Sequence, residues 1–406
     1  MTRPMLTLLV ATLGLFVYTY LGYPAVLEML RVVRRNQRPA APTASSDTAA
    51  AWPPISIVLP VYNEAETIAG TLNRILDIDY PAALRQILVV SDASSDGTDE
   101  IVARFAPRGV ELLVLPQRRG KTAAENAARS LLTGEIIINT DASVRIEAGA
   151  VKHLVAAFAH PAVGVASARD VSVANLNNTA NPGELAYVGY EMWVRHLETQ
   201  VSGIVGASGC LYAIRKDLHL RFMPEHLSRD FGAALVAREQ GYRAVSVPAA
   251  ICYVPRSASP QREHRRKVRT MARGLRTLWH KRAMLDPTRH GLFAWMLWSH
   301  KLCRWLTPWS FVLMAAALAV LAPQHWWAAA PLVLGGAAVL ATAIGWVWPE
   351  ERPLPRLIAL PAYAVSGTVA ALRAWIRAMG SEGTALWEPT RRGVTSRPAD
   401  RASRQA

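Results

Sequence analysis

The sequence predicts an α/β fold: a domain built on a parallel β-sheet, with transmembrane helices at the N- and C-terminal ends of the chain. Short apolar strands alternate with helical patterns between residues 53 and 255. Outside this region, residues 5–27 and 326–348 are two uncharged stretches of 23 residues each. Each is long enough to cross the ~30 Å hydrocarbon core of a bilayer.

Four strands are predicted, and a helical pattern follows each of the first three. The strands are residues 55–60, 86–92, 110–115 and 135–139, and the helices begin near Glu64, Gly97 and Lys121. Buried apolar runs that alternate with helices indicate a parallel sheet covered on both faces. In such sheets, ligands bind at the carboxyl ends of the strands.

The apolar stretches predict an integral membrane protein. Residues 305–322 form a third candidate span, and residues 357–372 are a shorter stretch that we expect to be re-entrant or interfacial. The first stretch is longer than the apolar region of a secretory signal, and Arg31, Arg34 and Arg35 follow it closely. We interpret it as an anchor. By the positive-inside rule, these arginines place the large polar region in the cytosol at the inner or plasma membrane.

The formal net charge is +15. Much of the basic excess flanks the apolar stretches, so anionic lipid headgroups are a simpler partner than nucleic acid. Cys210, Cys252 and Cys303 are far apart in sequence and form neither a disulfide framework nor a metal-spaced pair. This agrees with a reducing compartment.

Composition shifts divide the chain into six predicted segments. They are an N-terminal transmembrane helix (1–30), a basic flank and flexible linker (31–52), the cytosolic domain (53–255), amphipathic or interfacial helices (256–304), a C-terminal transmembrane region (305–379) and a tail (380–406).

Polar clusters follow each of the four predicted strands. They read "YNEAET", "SDASSDGT", "RRGKTAAEN" and "TDAS". A single acidic residue such as Asp141 at a strand end is most simply a turn residue that bonds its own backbone. Four clusters that converge on one edge of a sheet instead favour a ligand site.

The ordered motifs resemble those of the family 2 inverting glycosyltransferases. They are "ISIVLPVYNEAET", "DASSDGT" from Asp92, Gly120-Lys121 to Asn126, "TDAS", "GASG" from Gly206 with Arg215, and "SRDFGAALVAREQGYRAV". With the flanking spans, the chain is similar to the membrane-embedded branch that includes cellulose, hyaluronan and poly-N-acetylglucosamine synthases. The resemblance implies a Rossmann-like, GT-A type catalytic domain and a nucleotide-sugar donor.

The resemblance also implies residues that bind the donor. Asp92 would accept a hydrogen bond from the uracil of a UDP-sugar, and Tyr62 and Glu64 lie where base and ribose would be. Lys121 begins a helix after a glycine, so its ammonium and the helix N-terminus can both face phosphate oxygens. The alternatives are a turn carboxylate bonded near Ser94 for Asp92 and a solvated side chain for Lys121.

Asp141 is the predicted ligand of Mg²⁺ or Mn²⁺, since hard cations bind carboxylate and phosphate oxygens. The family turn commonly carries two aspartates, and the second position here is Ser143. A hydroxyl is a weaker ligand. We therefore predict low metal affinity in the absence of the nucleotide.

The acceptor side is predicted from two motifs. Gly206, Ser208 and Gly209 would let a sugar approach the backbone, although a plain turn explains them nearly as well. Asp230 is implied as the general base, with a helix N-cap as the alternative. The preceding residue is Arg229 where relatives usually have Glu, and a nearby cation would lower the basicity of Asp230.

The segment after residue 259 departs from processive relatives. Their Q-x-x-R-W motif is absent, since His264 and Arg265 follow Gln261. Instead, a stripe of arginines opposite an apolar stripe predicts an amphipathic helix on the membrane surface. Its arginines would contact lipid headgroups, and one or two of Arg262, Arg265 and Arg266 would neutralise the leaving diphosphate.

These expectations combine into a membrane-bound transferase that moves a sugar from a nucleotide-diphosphate donor to a hydroxyl acceptor with inversion, in polysaccharide or glycoconjugate synthesis. One alternative is transfer of a single sugar to a lipid-linked carrier. Another is a catalytically weak nucleotide-sugar-binding component of a polysaccharide export complex. The expected partners are the donor, a carbohydrate or lipid-linked acceptor and membrane lipids, without nucleic acid.

Overall fold

The structure is a computed structural model that describes residues 2–35, 52–173, 182–255, 260–348 and 355–380. The predicted linker lies almost entirely outside these ranges, and so does the tail after residue 380.

A mixed sheet of eight strands forms the centre of the protein. The strands are β1 (Ile55–Val61), β2 (Arg85–Ser91), β3 (Val110–Val114), β4 (Ile136–Thr140), β5 (Arg145–Ile146), β6 (Val163–Val173), β7 (Leu211–Arg215) and β8 (Arg243–Pro255). Their order across the sheet is β3-β2-β1-β4-β7-β6-β8-β5.

Six of these eight strands run in one direction, as a parallel sheet requires, since β6 and β8 share the direction of β1 to β4. β1 to β4 are parallel, with Ile57 beside both Ile87 and Ile138. β7 runs antiparallel to both β4 and β6, and β5 runs antiparallel to β8, so the complete sheet is mixed. The first four strands follow one another through short helical connections, whereas the later strands pair across longer excursions that apolar patterning does not reveal.

The parallel strands are apolar because both faces of the sheet are covered. All seven residues of β1 are buried. Successive side chains point to opposite faces, so Ile57 and Leu59 join one apolar cluster and Val58 joins the other. Each fully buried side chain of this size contributes about 1.5–3 kcal/mol relative to an exposed one. The rigid sheet thereby fixes the positions of the strand ends.

Fifteen α-helices occur in the part of the chain that the structure describes. They are α1 (Thr2–Val17), α2 (Tyr23–Arg35), α3 (Ile68–Leu76), α4 (Thr98–Ala103), α5 (Lys121–Ala128), α6 (Ala150–Ala156), α7 (Pro182–Val201), α8 (Lys216–His219), α9 (Arg229–Glu239), α10 (Pro260–His280), α11 (Pro287–His290), α12 (Leu292–Leu297), α13 (Arg304–Leu321), α14 (Trp326–Val347) and α15 (Arg356–Met379). Two π-helical turns, Tyr18–Gly22 and Trp298–Cys303, join α1 to α2 and α12 to α13.

The first predicted helix begins later than the sequence suggested. Residues 64–67 form a turn, in which the amides of Thr67 and Ile68 both donate to the carbonyl of Glu64 at 2.9 Å. The helix predicted from Lys121 begins at that residue but ends at Ala128, where a short 3₁₀ turn follows.

Four helical segments are long and apolar enough to cross a membrane. They are Thr2–Arg34, Leu292–Leu321, Trp326–Val347 and Leu357–Met379. The stretch that the sequence left ambiguous belongs to α15, a continuous helix of 24 residues that does not double back within its length. Its interfacial placement stays a prediction.

The amphipathic helix α10 was expected to lie on a membrane surface, but protein covers much of it. α15 packs along it, with Arg276 donating to the carbonyls of Arg377 at 2.7 Å and Gly380 at 3.0 Å. On the side of the sheet domain, Arg273 donates to Thr122 Oγ1 at 2.7 Å. α10 therefore connects the sheet domain to the last apolar helix.

Candidate active site

The ends of β1 and β2 are joined by hydrogen bonds between their loops. Asn63 accepts from the Ser95 amide at 2.8 Å, and Asp96 accepts from the Ala65 amide at 3.0 Å. Asn63 and Ala93 have φ angles of 51° and 58°, which non-glycine residues rarely adopt. Such backbone strain persists where the surrounding structure enforces it, frequently at functional sites.

Asp92 holds the loop that precedes α5. Its carboxylate oxygens accept hydrogen bonds from the amides of Arg119, at 2.7 Å, and Gly120, at 2.8 Å. The alternative that placed its backbone contacts near Ser94 is therefore wrong. The side chain is almost completely buried, and its predicted role in binding a nucleobase stays a prediction.

Tyr62 and Glu64 lie beside this loop. The Arg118 guanidinium lies 3.8 Å from the centre of the Tyr62 ring. A base bound there has to displace this guanidinium or stack on it. The Glu64 carboxylate accepts from Thr67 Oγ1 at 2.7 Å and so closes the turn before α3.

Lys121 connects the two halves of the site. Its Nζ lies 2.5 Å from Asp141 Oδ1 and donates to the Gly209 carbonyl at 3.1 Å. Burial alone would lower the pKa of Lys121, but the carboxylates of Asp141, Glu125 and Asp230 raise it above its ordinary value. The lysine is therefore a permanent cation between the end of β4 and the "GASG" loop.

The residues at the end of β4 offer a partial metal site. In the described ranges, no three His, Cys, Asp or Glu side chains are grouped so as to hold a metal ion. Asp141 presents a carboxylate that is 25% exposed, and Ser143 presents a hydroxyl. This oxygen set fits a hard cation that takes most of its ligands from a bound diphosphate and water. Lys121 would have to leave Oδ1 for such an ion to bind there.

Asp230 lies in the first turn of α9 and accepts a hydrogen bond from Ser228 Oγ. The N-cap residue is Ser228, so the alternative that Asp230 caps the helix is wrong. A carboxylate in the first turn is stabilised by the helix dipole. Because Ser228 and not Asp230 occupies the N-cap position, the Asp230 carboxylate is available to act as a base.

A buried ion pair beneath Asp230 was not foreseen from the sequence. Glu125 of α5 is 1% exposed, and its Oε2 lies 3.4 Å from Arg229 Nε. Burial raises the pKa of Glu125, while Lys121 and Arg229 oppose this effect. The sequence did contain an indication of this pair. Arg229 stands where relatives usually have glutamate, and Glu125 lies within the Gly120-to-Asn126 motif, so the two side chains balance each other's charge.

Replacing Arg229 with Met should destabilise the protein by about 3–5 kcal/mol, because it leaves the buried Glu125 carboxylate without its nearest cation. Chemical denaturation of the purified protein measures this change. Adding Glu125→Gln to the same protein should recover part of the loss. As a control, Arg221→Met removes an exposed arginine and should change stability by less than about 0.5 kcal/mol. Equal effects at both arginines would contradict the pairing.

The three predicted acceptor residues have different surroundings. Ser208 is buried and donates to the Asp170 carboxylate at 2.7 Å, so its side chain stabilises the loop. A Cβ on Gly209 would lie 2.6 Å from Asp230 Oδ2, and one on Gly206 would lie 3.1 Å from Phe231. The two glycines therefore allow the backbone to approach α9 closely, and the predicted approach of a sugar to this loop stays a prediction.

Gly209→Ala should lower sugar transfer by at least about tenfold, because the new methyl group displaces the Asp230 carboxylate by contact. Gly70→Ala on α3 is the control, since its Cβ would meet nothing closer than 3.4 Å. Initial rates at saturating donor test both variants, and circular dichroism verifies their folding. Wild-type rates in Gly209→Ala would mean that Asp230 is not held against this loop during the reaction.

The arginines of α10 differ in their exposure and in the residues that they contact. Arg262 and Arg265 are exposed, and Arg266 pairs with Glu263 of the same helix at 2.6 Å. Their predicted role at the diphosphate stays a prediction. Arg273, two turns further on, donates to Thr122 next to Lys121, and the Asp230 carboxylate influences its pKa. Arg273 is therefore a further candidate for stabilising charge at the site.

The sheet and its strand-end residues define a glycosyltransferase domain of the GT-A type. Comparison with known proteins agrees with this: residues 56–219 match the family model for glycosyl transferase family 2. The predicted resemblance and fold class are thus confirmed.

Two curated relatives and one solved structure illustrate the similarity. The β-monoglucosyldiacylglycerol synthase of Trichormus variabilis is 28% identical over 156 residues, or 37% of this chain and 33% of that protein. The poly-β-1,6-N-acetyl-D-glucosamine synthase of Staphylococcus aureus is 23% identical over 208 residues, 49% of each. The chain spans about a third of the length of the first curated relatives that it matches.

The solved structure covers much more of the chain. It is the mannosyltransferase PcManGT of Pyrobaculum calidifontis in complex with GDP-Man and Mn²⁺, with 26% identity and a TM-score of 0.65. The match covers 90% of this chain and 99% of that one. The similarity therefore includes residues well outside the family 2 domain.

Proposed function

We propose that this protein is a membrane-bound, inverting glycosyltransferase that moves a sugar from a nucleoside-diphosphate donor to a hydroxyl acceptor. The observation that carries the proposal is the Lys121 ammonium, which contacts Asp141 on the donor side and the Gly209 carbonyl on the acceptor side. The Asp230 carboxylate is close enough to raise the pKa of this lysine. A diphosphate and an acceptor hydroxyl bound at this edge would meet between these groups.

In the proposed reaction, Asp230 removes the proton from the acceptor hydroxyl as its oxygen attacks the anomeric carbon of the donor. Ser228 keeps the carboxylate in place through its hydrogen bond. The bond from the anomeric carbon to the diphosphate breaks, and its electron pair leaves with the diphosphate. A single displacement of this kind inverts the anomeric carbon.

Negative charge builds up on the departing diphosphate during this reaction, and nearby cations have to stabilise it. Lys121 is buried, charged and already directed to the donor side, so it neutralises part of that charge without rearranging much solvent. Arg273 lies beside Thr122 and adds a second cation. A divalent cation on Asp141, where bound, would act as a Lewis acid on the phosphate oxygens. Mn²⁺ accompanies GDP-Man in the PcManGT complex, which supports this assignment.

Donor identity is tested by incubating the solubilised protein with UDP- and GDP-sugars in the presence of Mn²⁺ or Mg²⁺ and measuring nucleotide release. We expect release from UDP-sugars, as predicted for Asp92. The GDP-Man bound to PcManGT makes GDP-mannose the matched comparison. Release of neither nucleotide, combined with tight binding of one, would favour the alternative of a catalytically weak binding component.

A lipid acceptor is the second candidate, and two observations favour it. The Q-x-x-R-W motif of processive relatives is missing, and the relative from Trichormus variabilis is named for a glucosyl lipid product. Apolar helices also flank the catalytic domain on both sides in sequence. We propose transfer of one sugar to a lipid-linked carrier as the form of the reaction most compatible with these features.

We further propose that the catalytic domain faces the cytosol. A cysteine introduced for exposed Glu100 should react with a membrane-impermeant maleimide only after the cells are permeabilised. The matched variant Gln324→Cys, between α13 and α14, should react in intact cells because one span separates it from the catalytic side. The reverse labelling pattern would refute this topology. The loop of residues 349–354, also predicted to be cytosolic, lies outside the described residues.

A further inference from the structure

Three buried cations surround one carboxylate between the sheet domain and the apolar helices. Arg195 Nε of α7 lies 3.2 Å from Glu191 Oε1, and Lys301 Nζ lies 3.9 Å from the same oxygen. Arg304, the first residue of α13, forms an ion pair with Glu191 Oε2. Glu198 and Asp170 add further negative charge near Arg195. We name Arg195, Lys301 and Arg304 the cation cluster.

The neighbouring carboxylate of Glu198 makes its hydrogen bonds to residues outside the cation cluster. It accepts a hydrogen bond from the Tyr23 hydroxyl at 2.6 Å and contacts His300 Nδ1 at 2.5 Å. His300 Nε2 in turn lies 3.1 Å from Glu191 Oε1. The histidine therefore contacts the carboxylates of both Glu198 and Glu191. Glu198 therefore leaves the guanidinium donors of the cation cluster to other acceptors.

Several donors of the cluster have no acceptor in the part of the chain that the structure describes. They are Nε and Nη2 of Arg304 and Nη1 of Arg195, all buried. Both arginines are only 9% exposed. Buried N–H groups without partners are rare, because leaving them unpaired is unfavourable. Unpaired, buried guanidinium donors indicate an acceptor, such as an anionic group, that is added from outside.

The local helix geometry points in the same direction. Lys301 lies in the π-helical turn Trp298–Cys303, which meets the π-helical turn Tyr18–Gly22 through a hydrogen bond of 2.6 Å between Tyr18 and Ser299. π-helical turns occur frequently at functional sites. Ionisable residues within an apolar segment long enough to span a membrane commonly line substrate pathways.

The cation cluster adjoins the acceptor side of the active site. The position of a Cβ on Gly206 lies 3.4 Å from Lys301 Cε and 3.6 Å from its Nζ. At the other end of the same loop, Gly209 lies against the Asp230 carboxylate. The two glycines are three positions apart in the sequence, and a chain of that length spans at most ~11 Å. An acceptor group bound by the cluster would thus be within one small molecule's length of the general base.

We propose that Arg195, Lys301 and Arg304 bind a phosphate group of the acceptor. This inference rests on the proposed function and deepens it by assigning the acceptor a phosphate. Guanidinium groups suit phosphate because their planar donors match its oxygens. Tyr187, which is 39% exposed and accepts from Arg304 Nη1 at 3.3 Å, lies at the accessible side of the cluster. The phosphate is carried by a lipid or is a free phosphate, and the test separates these sources.

The experiment measures binding to the full-length, detergent-solubilised protein by titration calorimetry. The probes are farnesyl phosphate, farnesol and inorganic phosphate. We expect farnesyl phosphate to bind at least tenfold more tightly than farnesol. Lys301→Met and Arg195→Gln should each weaken that binding by about tenfold or more, as expected when a charged hydrogen-bond donor is lost. Arg289→Gln removes an arginine whose side chain is 74% exposed and should have no effect.

Lys301→Arg keeps the charge and should retain binding, which separates a phosphate contact from a purely structural role. Stronger binding of farnesyl phosphate than of inorganic phosphate identifies a lipid source, and equal binding identifies a free phosphate. Equal affinity for farnesol and farnesyl phosphate would overturn the proposal, and so would wild-type affinity in a folded Lys301→Met protein. Nucleotide binding is measured separately on the same samples, so failure of the donor assignment is distinguishable from failure of the phosphate site.

Discussion

Asp230→Asn is expected to lower the transfer rate by roughly a hundredfold to ten-thousandfold, the contribution of a positioned general base. Asn keeps the size of the side chain and an oxygen that can accept from Ser228. Since Ser228, and not Asp230, occupies the N-cap position, α9 should lose little stability. Initial rates and donor affinity, measured on the same protein, test this expectation.

Donor affinity should stay near the wild-type value in Asp230→Asn, because the proposed phosphate contacts are Lys121, Asp141 and Arg273. Ser228→Ala is the matched control: it removes the hydrogen bond to Asp230 but leaves the base, so the loss of rate should be much smaller. Equal loss of binding and transfer in Asp230→Asn would assign this residue a structural role. Undiminished transfer would remove it from the mechanism.

Asp141→Ala is expected to reduce metal-dependent nucleotide release by at least about a hundredfold, because a metal-bound diphosphate leaving group accounts for several kcal/mol of the barrier. Stability should change by less than about 1 kcal/mol, since the ion pair with Lys121 is partly exposed and Glu125 remains 4.0 Å from the same ammonium. Release measured across a Mn²⁺ titration, with thermal unfolding on the same sample, tests both statements.

Ser143→Ala provides the comparison within the same turn. A neutral hydroxyl contributes less than a carboxylate to binding a hard cation, so this variant should lose far less activity. Full activity in Asp141→Ala would make this carboxylate an ordinary turn residue at the end of β4. Equal losses in both variants would mean that the turn acts through its shape and not through metal ligation.

The strands and the edge that carries the site could be predicted from the sequence because both depend on local patterns. β1, for example, is apolar throughout since both of its faces are covered, and Asp141 directly follows a buried strand. The antiparallel arrangement of β7 could not be predicted, because it depends on pairing between distant segments.

Pairing in space also explains which site residues were missed. Glu125 has meaning only through its contact with Arg229, about a hundred residues later in the sequence. Likewise, Arg304 directly precedes the apolar stretch 305–322, and only the structure places Glu191 beside it. Asp92 was identified as a site residue, but its bonds to the Arg119 and Gly120 amides required coordinates.

The position of the Lys121 ammonium has a consequence for kinetics. In the structure, this one group binds both the Asp141 carboxylate and the Gly209 carbonyl. A donor diphosphate that attracts the ammonium would free the carboxylate and the acceptor loop in the same event. The acceptor would then meet a rearranged loop only after the donor has bound. Steady-state kinetics should accordingly show a compulsory order of addition, with the nucleotide sugar first and the free nucleotide as the last product to leave.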